Sequence, residues 1–239
     1  MNVVDLDSAR TTSNEERQAA ASESLLRQLT MVWLDFERRL SQVPIIRRLE
    51  TGNFTIEDYK TLLCNLRPQV IEGSRWITRA ASSFTAEHAE LRSKVIGHAY
   101  DEHRDYEMLE RDYVSVGGDA SEIRSRERNI GTEALAAFLM NQASQANPID
   151  LLGAMFIIEG LGEKMASRWA TQLQSVLRIP AAATSFLSYH GKNDESHINK
   201  MHAILTEDPL VLSGHKRIIK TARVVARLYL LQLEEIDNV

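Results

Sequence analysis

Apolar positions in the chain recur at helical spacing. Leu25, Leu29, Val32, Trp33, Phe36 and Leu40 fall three or four positions apart along one stripe, with polar residues between them. Pro44 interrupts the stripe, and Gly52-Asn53 closes a short helix through Leu49. Thr55 followed by Asp58 reads as a capping pair opening a helix to about Phe84, with a kink expected at Pro68. Thr85 predicts a further helix reaching Gly117-Gly118, and Ala120–Ala146 reads as helical with a break near Gly131. Asn147-Pro148 starts a helix to about Leu177, because proline is tolerated in a first turn. Ile179-Pro180 breaks the chain before a helix through Ser196 and Ile204, and Asp208-Pro209 opens the last one. No window alternates with period two between turn residues, so no strand is expected. Seven or eight helices with short connections predict an all-α bundle. Without repeats or linkers, residues 15–239 read as one domain. Residues 1–14 read as a disordered tail before a cap at Ser13 and Glu16.

Composition sharpens this picture in three respects. The chain has 239 residues, 44% hydrophobic and 26% charged, enough to bury a core without covalent staples. One cysteine, Cys64, excludes a disulfide framework and a cysteine-based zinc site. A net charge of −5, from 28 basic and 33 acidic residues, argues against binding a nucleic-acid backbone. No apolar run reaches the length of a membrane span, and the polar start lacks the apolar region of a secretory signal. The expectation is a soluble, cytoplasmic protein with neither a nucleic-acid nor a membrane partner.

The most informative segment is His190-Gly-Lys-Asn-Asp194-Glu-Ser-His197. Spacing of i, i+4 and i+7 sets His190, Asp194 and His197 on one helix face. Two imidazoles and a carboxylate suit divalent iron or manganese, while an exposed polar face would read the same way. Gly191 weakens the helix locally and points to an irregular turn at His190. His98, Glu102 and Asp105 repeat the spacing in a stretch rich in both charge signs, which a solvated ion-pair face would also explain. Glu159 ends the apolar stretch Leu151–Ile158 and is expected to be buried, where a carboxylate needs a proton, a counter-charge or a metal. Ion pairing with Lys164 or Arg168 is the alternative. Glu72 follows Pro68 and is a candidate catalytic carboxylate, although an i, i+3 pair with Arg75 explains it as well. Arg75 or Arg79 could meet a substrate carboxylate. His88, His202 and His215 read as surface residues, and Trp76, Tyr100 and Tyr106 as core packing or the wall of an aromatic pocket. No phosphate-cradling glycine loop, Ser or Cys nucleophile motif or dinucleotide fingerprint is present.

Taken in order, Glu102-His-Arg-Asp105, Leu109, Asp112, Val116-Gly117, Ile158-Glu159-Gly160 and the His190, Asp194, His197 trio resemble the haem-oxygenase-like diiron oxidases and oxygenases. That superfamily includes the thiaminase-II and pyrroloquinoline-quinone synthase families, and the resemblance spans roughly residues 25–235. It implies a seven-helix bundle holding two irons, with Glu102, Glu159, His190, Asp194 and His197 as ligands. Many members carry histidine three residues after the first glutamate, where this chain has Asp105. Either Asp105 ligates through oxygen, or His98 one turn back supplies a nitrogen, or one metal position is weak. Asp105 holds the family's ligand position. The implied reaction oxidises a small organic substrate with dioxygen, drawing on an external electron donor; a homodimer is compatible with it. A metal-free enzyme of the thiaminase-II or quinone-synthase kind and a non-enzymatic helical interaction protein are the competing readings.

Overall fold

The structure, a computed structural model, describes the backbone of residues 3–207, 211 and 213–238; the side chains of residues 3–15, 193–200 and 207 are outside the description. Helices α1 (Val3–Leu40), α2 (Pro44–Glu50) and α3 (Ile56–Ser83) come first, followed by a 3-10 turn at Ala86–His88. Then come α4 (Ala89–Glu102), α5 (Tyr106–Ser115), α6 (Ala120–Ser125) and α7 (Ile130–Ala143). α8 (Leu151–Leu161) runs through a π-helical segment, Gly162–Ala166, into α9 (Ser167–Leu177). A 3-10 turn at Ala181–Thr184 leads to α10 (Ser185–Glu207), and α11 (His215–Glu234) completes the bundle. No strand occurs among the described residues.

The expected all-α bundle is present, with more helices than the seven anticipated. The surplus comes from subdivision. The helix expected from Thr85 to Gly117 is split at residues 103–105 into α4 and α5, and an extended linker at residues 126–129 separates α6 from α7. The α1 backbone is helical from Val3, upstream of the expected cap and through the segment read as a tail. Pro68 lies inside α3, which continues past it. The Asp208-Pro209 start falls outside the described residues.

Local chemistry explains several boundaries. Thr55 and Asp58 form the expected reciprocal cap: the Thr55 hydroxyl oxygen accepts from Asp58 N at 3.1 Å, and Asp58 Oδ2 accepts from Thr55 N at 2.9 Å. Asn129 Oδ1 caps α7 through Thr132 N at 2.8 Å, while Asn129 Nδ2 donates to Gln232 O, tying α7 to α11. The whole α1 stripe from Leu25 to Leu40 is buried against the bundle. Gly153 lets α8 meet α11 at backbone distance, since a Cβ there would sit 2.0 Å from Ile218 O. These contacts hold α8 at the centre, and with it Glu159.

Candidate metal centre

Three stretches bring the expected ligands together. α4 delivers His98 and, at its last residue, Glu102. The turn after it places Asp105 at the start of α5, so the three residues do not share one continuous helix. α8 delivers the buried Glu159, and the first turns of α10 deliver His190.

Donor atoms of His98, Glu102 and Glu159 lie within 4.8 Å of one another, as do those of Glu102, Asp105 and His190. Glu102 belongs to both groups. His98 Nε2 stands 3.3 Å from Glu159 Oε1, and His190 Nε2 stands 3.3 Å from Asp105 Oδ2. The geometry therefore places His98 and Asp105 with different groups, each pairing one imidazole with carboxylate oxygens. Asp194 and His197 follow His190 on α10, and their side chains lie outside the description.

Crowding of acids shows in Glu102. Its carboxyl is pushed up to about 7, first by loss of hydration and then by the Glu159 charge; His190 and His98 pull the other way, and Asp105 adds to the rise. A buried set of three carboxylates and two imidazoles is unfavourable without protons or a cation. Divalent iron suits it, because imidazole nitrogen and carboxylate oxygen are both ligands this ion accepts. Asp105 Oδ2 supports the fit: it is buried and accepts no hydrogen bond, leaving a lone pair for a cation. Lys164 and Arg168, the alternative partners for Glu159, instead contact Glu163 and Glu50.

Packing sets the position of α10. Asp112 on α5, fully buried, accepts from Ser185 N at 2.9 Å, Ser185 Oγ at 2.6 Å and Phe186 N at 3.0 Å. It thus caps the helix that carries His190. Burial raises the Asp112 carboxyl while these donors pull it down. Asp112 stands in the segment that carries the family resemblance, but no local pattern marks its role, since it caps a helix 73 residues away. At Gly191 a Cβ would lie 2.0 Å from Ser167 Oγ, so glycine permits close approach of α10 to the π segment. α10 is continuous there, and the irregular turn expected at His190 is absent. The Phe186 ring lies 4.4 Å from the His190 ring.

Glu72 is 6% exposed and ion-paired with both Arg75, at 2.6 Å, and Arg128. Neither Glu72 nor Arg75 lines the cavity at the metal groups, so their assigned catalytic part draws no support from this geometry. Trp76 is buried and lines that cavity. Tyr106 is half-buried beneath the Arg67 guanidinium, and Tyr100 is a surface residue, 75% exposed and stacked on His103.

The described residues form a helical scaffold with two carboxylate–imidazole groups whose donor atoms lie close enough to hold a metal ion. By the family model matching residues 61–230, the chain belongs to a family described as iron-containing redox enzymes. No curated protein matches it. Among solved structures it is similar to a domain of unknown function with a heme oxygenase-like fold from Shewanella denitrificans. That match has a TM-score of 0.82 at 19% identity and covers 90% of this chain and 92% of that one. A TenA homologue from P. horikoshii matches with a TM-score of 0.69 at 15% identity, covering 90% and 97%. Another from Pseudomonas syringae has a TM-score of 0.70 at 11% identity, covering 90% and 93%. At these identities the likeness shows the heme oxygenase-like fold. No helix among the described residues is long and apolar enough to cross a membrane.

Proposed function

We propose that the protein is a non-haem iron oxidase or oxygenase that uses dioxygen on a small organic substrate, with two irons held about Glu102. The observation that carries this reading is the pair of donor groups sharing one glutamate. His98 and Glu159 would complete one position, and Asp105 and His190 the other; Asp194 and His197 are the further ligands implied for the second. Bound iron supplies the redox chemistry with dioxygen that carboxylates and imidazoles lack.

The chain's own residues do the rest. Glu102 holds a proton near neutrality in the metal-free protein and surrenders it when its oxygens face a cation. Asp112 fixes α10, and hence the height of His190 relative to Asp105. Trp169, Phe186, Leu187 and Ile158 wall a cavity of about 120 Å³ around Glu102, Glu159 and His190 and keep bulk water from it. An external electron donor is the partner this chemistry would require, and Asp105 and Glu159, which would hold the iron, are buried in the bundle.

Anaerobic titration with iron(II), followed by exposure to dioxygen, tests the proposal. Two equivalents of iron should bind, and dioxygen should then be consumed. Glu102→Gln should weaken both binding steps, because it removes the ligand that the two groups share. A folded wild-type protein that takes up no iron under these conditions would refute the reading and favour a metal-free enzyme on this scaffold.

A further inference from the structure

The cavity at the metal groups carries polar side chains that metal binding does not use. Along α3 it is lined by Leu62, Leu66, Gln69, Gly73 and Trp76, a stripe at helical spacing about 21 Å long. Gln69 stands at the middle of this stripe. Tyr229 on α11 and Trp169 on α9 line the same space, and both are buried.

Hydrogen bonds give these groups a direction. Gln232 on α11, fully buried, donates from Nε2 to Gln69 Oε1 at 2.9 Å and to Asn65 Oδ1 at 3.0 Å. With its carbonyl oxygen so engaged, the Gln69 amide donates through its nitrogen to the Tyr229 phenol oxygen. Burial pushes the Tyr229 hydroxyl up to about 12, so it keeps its proton at neutral pH. No described residue accepts that proton. Trp169 Nε1 likewise has no acceptor among the described residues. A buried donor left unpaired costs roughly 1–3 kcal/mol, and two of them around one cavity are accounted for if an acceptor enters it.

Charge and size narrow the ligand. No lysine or arginine is among the described residues that line this cavity, and its acids are Glu102 and Glu159. An anion therefore finds no permanent counter-charge in the metal-free protein, and a cation meets only donors at Tyr229 and Trp169. A neutral acceptor suits both. The space of about 120 Å³ is small, and Trp76, Trp169, Phe186 and Tyr229 give it aromatic walls that suit one flat ring. We propose that the cavity binds a neutral single-ring carbonyl compound, its oxygen taken by the Tyr229 hydroxyl, with the Trp169 N–H as a second donor to the ligand. Calling this ligand the substrate rests on the iron-centre reading; its binding stands apart from it.

The test is titration of metal-free protein with acetophenone, with ethylbenzene, which has the same ring but no acceptor, and with the anion benzoate. Tyr229→Phe keeps the ring and its edge contact with Phe36, so it should remain folded by circular dichroism. It should weaken acetophenone roughly three- to tenfold and leave ethylbenzene unchanged. Trp169→Phe is the second variant and should weaken acetophenone by a similar factor. The infrared carbonyl stretch of bound acetophenone should lie lower in wild type than in Tyr229→Phe, a shift that loss of packing alone does not produce. No saturable acetophenone binding, or equal weakening of both neutral ligands in Tyr229→Phe, would overturn the proposal. Benzoate binding as tightly as acetophenone would overturn the neutral class, and unchanged acetophenone affinity in Trp169→Phe would overturn the second donor. Iron(II) titration of the same samples keeps the two readings apart. Tyr229→Phe should bind iron as wild type does, since Tyr229 belongs to neither donor group. Acetophenone binding by a wild-type protein that takes up no iron would sink the iron reading while upholding this site.

Discussion

Replacing Asp112 should show how strongly one buried carboxylate holds the helix that bears His190. Asp112→Ala removes the one side-chain acceptor that Ser185 N and Phe186 N have among the described residues, and it also strips a partner from the Ser185 hydroxyl. The hydroxyl can rotate towards Ser188 or the helix backbone, but the two amides at the start of α10 cannot. A buried donor left unpaired costs roughly 1–3 kcal/mol. Relief of the buried charge offsets part of that, since burial alone raises the Asp112 carboxyl. The net expectation is a loss of roughly 2–4 kcal/mol, or about 4–16 °C in melting temperature for a chain of this size. Asp112→Asn keeps one carbonyl acceptor and turns its amide towards the other donor, so it should cost about 1–1.5 kcal/mol. Urea unfolding followed by circular dichroism measures both variants. Because the cap sets the position of His190, anaerobic iron(II) titration of Asp112→Asn should show one weakened step while the other is unchanged. A loss below about 1 kcal/mol in Asp112→Ala, or equal losses in the two variants, would refute the capping argument.

Three other outcomes follow from the geometry. Gly97→Ala and Gly73→Ala should each stabilise the metal-free protein by about 0.5–1 kcal/mol in thermal unfolding, whereas Gly153→Ala should destabilise it because its Cβ would meet the Ile218 carbonyl. Glu102 has a folded pKa raised to about 7, so the cost of ionising it is absent below about 4.5 and complete above 7. Metal-free protein should accordingly lose on the order of 3 kcal/mol between about pH 4.5 and pH 7, and Glu102→Gln should flatten that slope in urea titrations across the range. His98→Ala and Asp105→Ala should each weaken a different one of the two iron-binding steps, by roughly 10–100-fold, with a double variant losing both; the same step weakened in both single variants would merge the two groups into one site.

Much of the scaffold was legible because helical periodicity and capping are local. The stripe from Leu25 to Leu40 is buried throughout, and the Thr55–Asp58 cap has the expected hydrogen bonds. What could not be read depends on neighbours distant in sequence. The i, i+4, i+7 spacing of His98, Glu102 and Asp105 suggested one helix face, yet the chain turns at residues 103–105 and delivers Asp105 from the start of the next helix. The charged stretch around them concealed that all three face the interior groups. Gly191 was read from propensity alone as a weak point, whereas the packing of Ser167 makes it a point of close approach. Tyr100 was assigned by residue type to the interior or a pocket wall and lies on the surface. The Asp112 cap, made across 73 residues, left no local signal at all. The donor types were readable from spacing and burial, but their division into two groups required the fold.

The π segment at Gly162–Ala166 also sets how this region tolerates changes in chain length. A π turn is, in effect, one residue inserted into an α-helix, and each residue advances a helix by about 100°. The rotation matters because the two ends of this long rod serve different neighbours: α8 seats Gly153 on α11, whereas α9 reaches α2 through Gln172 on Leu49 O, at 2.7 Å, and Arg168 on Glu50, at 2.8 Å. Deleting a single residue between Gly162 and Ala166 would let the helix close up as regular α while Trp169, Ala170 and Leu173 keep facing the core they now fill, because the wide turn already takes up the advance of one extra residue. The same deletion inside the regular part of α9 has no wide turn to absorb it and would turn every residue downstream by about 100°. The π segment is therefore a slack turn, and among homologous chains a one-residue difference in length should fall within it and not in the regular helix on either side.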